Sequence, residues 1–433
     1  MLKRIKIKGY KSFKDAEIEL TPLSVLMGPN AAGKSNFLDA LQLLSRIATS
    51  PTLKDAFEPP YRGKPMESFT FGSQGLKGLL SNTSVSFSLE VDVELSNLLM
   101  DSLNNQIIEM RRKPTGELPD VKQLSLVRER FLRYSVKIEI RPQAGGLLRV
   151  IDERLEALKT NGEPKTSRNP FLERTKENRL SLRMEKQAHP TYFEVGLDHT
   201  VLSTAPYLPY YPHVNAMRQE FASWQFFYLE PRERMRAANP VKEVRHIGLM
   251  GEDLAAFLNT LQAVDEKQFE AIKKAIAMII PTINGIQVEV NELGEAELRL
   301  VERNTPISAR LLSEGTLRVL GLLALRGAKE IPALVGFEEP ENGVHPRRIQ
   351  LIAEYLKTFT SGTQLIATTH SPLLIENIPD DSLYVCTRRN GYSSIEPFST
   401  WGPLGRKKDV EKALCGEEIL SKSERILRGD FDS

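Results

Sequence analysis

Residues 23–37 read Leu-Ser-Val-Leu-Met-Gly-Pro-Asn-Ala-Ala-Gly-Lys-Ser-Asn-Phe. The apolar run 23–27 stops at Gly28, and after Lys34 the residues Phe37, Leu41, Leu44 and Ala48 recur on one face of a helix. Between strand and helix, Gly28, Pro29, Asn30, Ala31, Ala32, Gly33, Lys34 and Ser35 satisfy G-x-x-x-x-G-K-[ST] at every fixed position. Glycines let such a loop wrap phosphates, so that backbone N–H groups and the helix start point at negative charge. In that reading Lys34 reaches the β- and γ-phosphates and the Ser35 hydroxyl binds magnesium. A glycine turn without a ligand is the competing reading, and the strand and helix on the correct sides argue against it.

Working outward, Leu2, Ile5, Ile7, Ile18 and Leu20 sit at mostly alternate positions around Gly9 and predict two short strands. Residues 84–95 alternate polar and apolar without interruption, an antiparallel strand. The spacing beyond predicts helices over 97–110 and 120–133 and a strand over 134–141, so 96–224 reads as a basic, partly helical insertion. Residues 105–187 hold 19 Lys or Arg against 12 Asp or Glu, a surplus of 7, in a chain whose net charge is only +2. After a Tyr/Pro-rich stretch at 200–215, a strand at 226–229, helices over 252–264 and 266–280, strands at 285–291 and 296–302, and then alternating helices and buried strands imply a mainly parallel sheet. The chain thus divides into 1–95, 96–224, 225–385 and a tail, 386–433.

Three more stretches carry chemistry. Ala333-Leu334-Val335-Gly336-Phe337-Glu338-Glu339-Pro340 is a buried strand that delivers two carboxylates at its C-terminal end, where ligands bind in such sheets. Glu338 would hold magnesium and Glu339 would orient and polarise an attacking water. Leu312-Ser313-Glu314-Gly315-Thr316 opens a helix, and Ser313 is either an anion contact or an ordinary N-cap. Gln364-Leu365-Ile366-Ala367-Thr368-Thr369-His370-Ser371-Pro372 ends a strand on a histidine that can reach a γ-phosphate or the water.

With 41% hydrophobic and 26% charged residues, the 433-residue chain is neither disordered nor fibrous. Its two cysteines, Cys386 and Cys415, supply neither a zinc site nor a disulfide framework, which suggests a reducing cytoplasm. No membrane span or signal peptide is expected.

In order and spacing these elements resemble the ATP-binding cassette ATPases of the SMC, RecF and OLD group. The likeness is to the compact bacterial subgroup whose acidic strand continues Glu-Pro-Glu-Asn-Gly-Val-His-Pro, here Glu339 to Pro346. The resemblance covers 1–95 and about 225–380. It implies an α/β P-loop NTPase fold of the ABC/SMC-head type, a mainly parallel sheet flanked by helices with an N-terminal antiparallel β lobe and a helical insertion. It assigns the Walker A loop to Gly28–Ser35, the signature to 312–316 with Ser313 and Gly315 on nucleotide, Walker B to 333–338, and a D-loop to 342–345. Glu339 becomes the catalytic glutamate and His370 the switch histidine. Tyr10-Lys11-Ser12-Phe13 resembles the segment beside the nucleotide in SMC heads, and Gln74 is the candidate for a magnesium-reaching glutamine loop. Glu338 departs from the usual Asp. About three hundred residues separate Lys34 from Glu338, more than a transporter cassette inserts, and the insertion is too short and irregular for an SMC coiled coil. The 63 residues after His370 show no acidic cluster like the Toprim nuclease of OLD proteins.

The resemblance implies ATP and Mg2+ as cofactors and a homodimer or higher homo-oligomer through ATP-sandwiched interfaces. It further implies a DNA-associated motor, sensor or regulator in anti-phage defence or DNA repair, with any nuclease a separate partner. The alternative is a nucleotide-gated scaffold that binds DNA or a protein effector, with hydrolysis as a timer; Arg111, Arg112 and Lys113 are its candidate DNA contacts. A P-loop kinase has no use for the signature motif.

Overall fold

The computed structural model describes residues 1–71, 75–112, 114, 119–185, 189–327, 331–360, 362–400, 422 and 424. They pack as two compact units, the first Met1–Thr21, Ala31–Trp224 and Cys386–Ile395, the second Pro22–Asn30, Gln225–Val385 and Glu396–Ser433.

An eight-stranded antiparallel sheet organises the first unit. Its strands are β1 (Leu2–Tyr10), β2 (Phe13–Glu19), β4 (Val85–Glu94), β5 (Phe131–Arg141), β6 (Leu147–Ala157), β7 (Leu172–Arg174), β8 (Arg179–Leu182) and β9 (Thr191–Glu194), in the order β2-β1-β4-β5-β6-β7-β8-β9. Alternation forces the pleat: Phe87, Leu89, Val91 and Val93 of β4 and Leu132, Tyr134, Val136, Ile138 and Ile140 of β5 are all buried. The helix Lys34–Thr49 turns Phe37, Leu41, Leu44 and Ile47 into the core, where Ser45 Oγ donates to the Phe221 carbonyl of the helix Pro212–Ala222 (2.7 Å).

The insertion is the main correction to the sequence reading. A helix does span Asn97–Met110, capped by Ser96, whose Oγ accepts from the Leu99 N–H. The helix expected over 120–133 is absent from the described structure there. Asp120 instead turns the chain by accepting from the Lys122 N–H into a short 3-10 turn, Val121–Gln123, and β5 starts at Phe131 because the apolar period from Leu132 onward is two. The segment chiefly extends the N-terminal sheet.

The second unit is built on parallel strands. These are β3 (Leu23–Met27), β10 (Gln225–Phe227), β15 (Leu334–Glu338), β16 (Gln364–Thr369) and β17 (Leu383–Arg389), in the order β10-β15-β16-β3-β17, with β18 (Tyr392–Pro397) next in that sheet. A smaller antiparallel sheet joins β11 (Asn239–Pro240), β12 (Ile283–Val290), β13 (Glu295–Glu302) and β14 (Thr305–Ser308). β15 and β16 are buried nearly end to end, as strands covered on both faces must be. Leu258 and Leu261 of the helix Leu254–Val264, Ile272 and Ile276 of Glu266–Ile279, Leu317 and Leu320 of Glu314–Ala324, and Ile352 and Leu356 of Ile349–Phe359 belong to the same core as Val335 and Phe337. Each such leucine or isoleucine contributes about 1.5–3 kcal/mol by leaving water. Among the described residues, no helix is long and apolar enough to cross a membrane.

Candidate functional site

Parallel pairing brings the motifs of the second unit to one edge. Glu338 pairs with Thr368, and Thr369 with Met27, so the C-terminal ends of β15, β16 and β3 deliver Glu338-Glu339, Thr369-His370 and Gly28 side by side. This is the edge at which open α/β sheets bind ligands.

From Gly28 the loop runs on to Lys34, the first residue of its helix. It needs positive φ at Gly28 (149°), Ala31 (63°) and Gly33 (114°). The helix start has neither a side-chain cap nor an acidic residue in its first turn, so its N–H groups suit an anion. In the first unit the later half of the loop is braced from behind. Ser393 Oγ donates to the Ala32 carbonyl (2.5 Å), Cys386 Sγ approaches that carbonyl (3.3 Å), and Arg388 donates to the Ala31 carbonyl (3.2 Å). Ser12 Oγ accepts from Asn36 Nδ2 and lies in hydrogen-bond contact with Ser393 Oγ, both at 2.8 Å. A Cβ on Gly33 would overlap the Ser393 hydroxyl, with Ser393 Cβ at 2.8 Å and Ser12 Oγ at 3.0 Å. Burial pushes the Cys386 thiol up to about 12, with Lys34 pulling the other way, so it stays a neutral packing group.

Glu339 sits at φ 49°, a left-handed conformation that costs a non-glycine residue on the order of 1 kcal/mol. Its carboxylate meets His370, whose Nδ1–H donates to Oε1 at 2.9 Å. Both are reachable from solvent, His370 being 49% exposed and Glu339 27%. Beneath them, Glu341 accepts from the Thr369 hydroxyl, and burial pushes its carboxyl above the usual range.

Ser313 takes the ordinary capping role, accepting from the Thr316 N–H (3.2 Å) at the start of Glu314–Ala324. Glu314 pairs with exposed Arg232 (2.7 Å), and Arg236 donates to the Leu312 carbonyl (2.7 Å). Gly315 packs on the backbone of Gly343, where a Cβ would overlap the Gly343 carbonyl. On the same helix, burial lowers the Arg318 guanidinium while Glu314, Glu339, Glu230 and Glu341 hold it up, so this arginine balances the local carboxylates.

The structure therefore brings together Gly28, Glu338, Glu339 and His370, and sets Gly315 against the turn that follows Glu339. Gln74 and Lys113 lie outside the described residues. Arg111 stacks over Tyr210 (4.7 Å), and Arg112 makes an exposed pair with Glu109 (3.3 Å). Sequence reasoning missed Ser393, whose distance in sequence left no signal. It also quoted Glu341 and Thr369 without a role, since nothing in the run Glu338-Glu339-Pro340-Glu341-Asn342 marks one carboxylate as buried.

The profile of the family described as "AAA domain, putative AbiEii toxin, Type IV TA system" matches residues 125–376, and that of an "AAA ATPase domain" matches 1–195. A "Retron Vc95 probable ATPase" from Vibrio cholerae serotype O1 biovar El Tor is 22% identical over 98% of this chain and 81% of its own length. A DNA replication and repair protein RecF from Gloeobacter violaceus is 38% identical over 12% of this chain and 15% of its own, and an OLD nuclease from Thermus scotoductus 41% over 10% and 8%. Among solved structures, the SMC head domain from Thermotoga maritima aligns with TM-score 0.41 at 16% identity, over 92% of this chain and 98% of that one. With the first of these profiles spanning more than half of its length, the chain belongs to that AAA family.

Proposed function

We propose that the chain binds Mg–ATP and hydrolyses it as a homodimer, with one copy's Ser313 and Gly315 closing over the γ-phosphate held by the other copy's Gly28–Ser35. The observation that carries this is the convergence of Gly28, Glu339 and His370 on the ends of three adjacent parallel strands, together with a helix start free of competing acids. Lys34 and the loop N–H groups bind the phosphates. By their place in the two motifs, Ser35 and Glu338 would offer a hydroxyl and a carboxylate oxygen, donors whose chemistry suits magnesium, which usually keeps several waters and needs few protein ligands. When bound, it neutralises charge developing on the phosphates. Glu339 accepts the proton of the attacking water, and His370 orients that carboxylate through its hydrogen bond. Closure by the second copy excludes water and makes ATP part of the interface, so hydrolysis releases it.

The test is Glu339→Gln. It should bind ATP, lose turnover by about 100-fold or more, and run as a dimer in ATP by light scattering. Native turnover in this variant removes the assignment.

For the cellular role we propose a DNA-associated sensor or regulator in anti-phage defence or DNA repair, consistent with the likeness to a retron ATPase and to RecF and OLD proteins. A second reading, a nucleotide-gated scaffold holding a nucleic acid or a separate effector such as a nuclease, has its own observation. Much of the insertion's basic charge is spent on internal pairs: Arg133 on Asp92, Lys165 and Arg168 on Glu129, Arg154 on Glu156. A cleft of about 480 Å³ differs, being lined by Arg141, Arg149 and Arg174 with only Glu139 as counter-charge. Arg149 donates to the Leu148 carbonyl and Arg174 to Asn178 and the Ile151 carbonyl, all neutral acceptors, which leaves a net positive cleft suited to a phosphodiester chain.

A further inference from the structure

The turn after β15 contains a buried carboxylate that this chemistry leaves idle. Glu341 is 5% exposed, its Oε1 accepts from the Thr369 hydroxyl at 2.5 Å, and its Oε2 has no hydrogen-bond partner. A carboxyl group taken from water with one oxygen unsatisfied costs stability. Its side-chain partner is Thr369, itself wholly buried. Thr369 Oγ1 accepts from the Ser371 N–H at 3.0 Å, and Ser371 caps the helix Pro372–Glu376. His370 lies between these two anchored residues and meets Glu339 at 2.9 Å.

The same turn fixes the other partner. The Asn342 N–H donates to the Glu339 carbonyl (3.1 Å) and the Val344 N–H to the Glu341 carbonyl (3.0 Å), while the Glu339 N–H donates to the Thr368 carbonyl (3.0 Å). Two side-chain hydrogen bonds, Thr369 to Glu341 and His370 to Glu339, thus tie the turn after β15 to the end of β16. The charged groups acting on Glu341 are His370, Glu339 and Arg318.

We propose that Glu341 is a positioning residue: through the Thr369 hydroxyl it fixes the Thr369–Ser371 turn and so holds the His370 ring on the Glu339 carboxylate. The catalytic consequence rests on the ATPase reading above; the positioning itself does not. Thr369→Val keeps the side-chain volume but strips Glu341 and the Ser371 N–H of their partner, so a purely structural role predicts a lower melting temperature with kcat and the His370 ring unchanged.

The experiment uses the full chain with Thr369→Val, Thr369→Ser, Glu341→Gln and Glu341→Leu, each checked for native melting. For Thr369→Val and Glu341→Leu, kcat should fall roughly 10- to 100-fold with KM and ATP affinity within about 3-fold of native. Thr369→Ser and Glu341→Gln, which keep the donor and the acceptor, should stay within about 5-fold of native kcat. A second readout needs no turnover. In histidine-labelled protein the chain's six histidines give resolvable ring nitrogens, with His370 assigned by its loss in His370→Gln. Thr369→Val should move the His370 Nδ1 resonance and Thr369→Ser should return it. Native kcat together with an unmoved His370 resonance in Thr369→Val overturns the proposal. A moved resonance in a protein with no ATP turnover at all sinks the ATPase reading and leaves the positioning intact.

Discussion

Gly315→Ala isolates the contact between the signature loop and the turn after Glu339. Gly315 is the second residue of its helix and is not in the positive-φ region, so alanine should be welcome there and contribute about 0.5–1 kcal/mol of helix propensity. Against this, the new methyl overlaps the Gly343 carbonyl oxygen, with Gly343 C at 2.8 Å and Val344 Cα at 3.3 Å. All three are backbone atoms, so no rotamer change relieves the overlap, and overpacking at the upper end of the usual range costs about 3 kcal/mol. The difference is a net loss of about 2 kcal/mol, or a fall in melting temperature of roughly 4–8 °C for a unit of this size. Gly294 is the control. Its φ is +74° but a Cβ there meets nothing within 4 Å, so Gly294→Ala should cost only about 1 kcal/mol. Scanning calorimetry on both variants decides the matter. If Gly315→Ala melts at or above the native temperature, or loses less than Gly294→Ala, the signature loop does not rest on Gly343 as described.

Other perturbations have equally definite outcomes. Gly33→Ala meets both a φ of 114° and the Ser393–Ser12 hydroxyls, so it should abolish ATP binding measured by calorimetric titration, whereas Ser393→Ala should weaken binding only several-fold. Burial pushes the Glu153 carboxyl from its ordinary 4.5 up to about 7, against hydrogen bonds from Tyr134 and the Val201 and Leu202 N–H groups. A raised folded value means the contribution is complete below about pH 4.5 and lost as pH rises through 7, on the order of 3 kcal/mol. Denaturant melts should show that slope, and Glu153→Gln should flatten it; an unchanged slope removes the attribution. Arg149→Gln with Arg174→Gln should weaken oligonucleotide binding and lower the salt slope by about 1–2, leaving ATP turnover untouched.

The second unit was largely legible because its signals are local: a glycine loop with strand and helix on either side, and apolar strands ending in Glu338-Glu339 and Thr369-His370. The first unit was less so. Residues 120–133 carry enough Leu, Val and Arg to satisfy a helical template, and only the two-residue period of Leu132 to Ile140, with the Asp120 turn before it, separates strand from helix. At the site, side chains within a motif could be named in advance, but those that brace the motif could not. Ser393 and Cys386 reach the Ala32 carbonyl across more than three hundred residues, and no periodicity records such a contact. Glu341 was visible as a letter, but its burial depends on how β15 and β16 align.

The brace behind the phosphate loop also has a consequence for biosynthesis. Gly33 leaves the ribosome early, but Ser393, which holds the preceding carbonyl, follows 360 residues later, and β3 has both of its neighbours, β16 and β17, in that same late stretch. At roughly 5–20 residues per second, the nascent loop waits on the order of 20–70 s before its supports exist. A chain interrupted between the loop and β16 therefore displays the full nucleotide-binding sequence without the strands that flank β3.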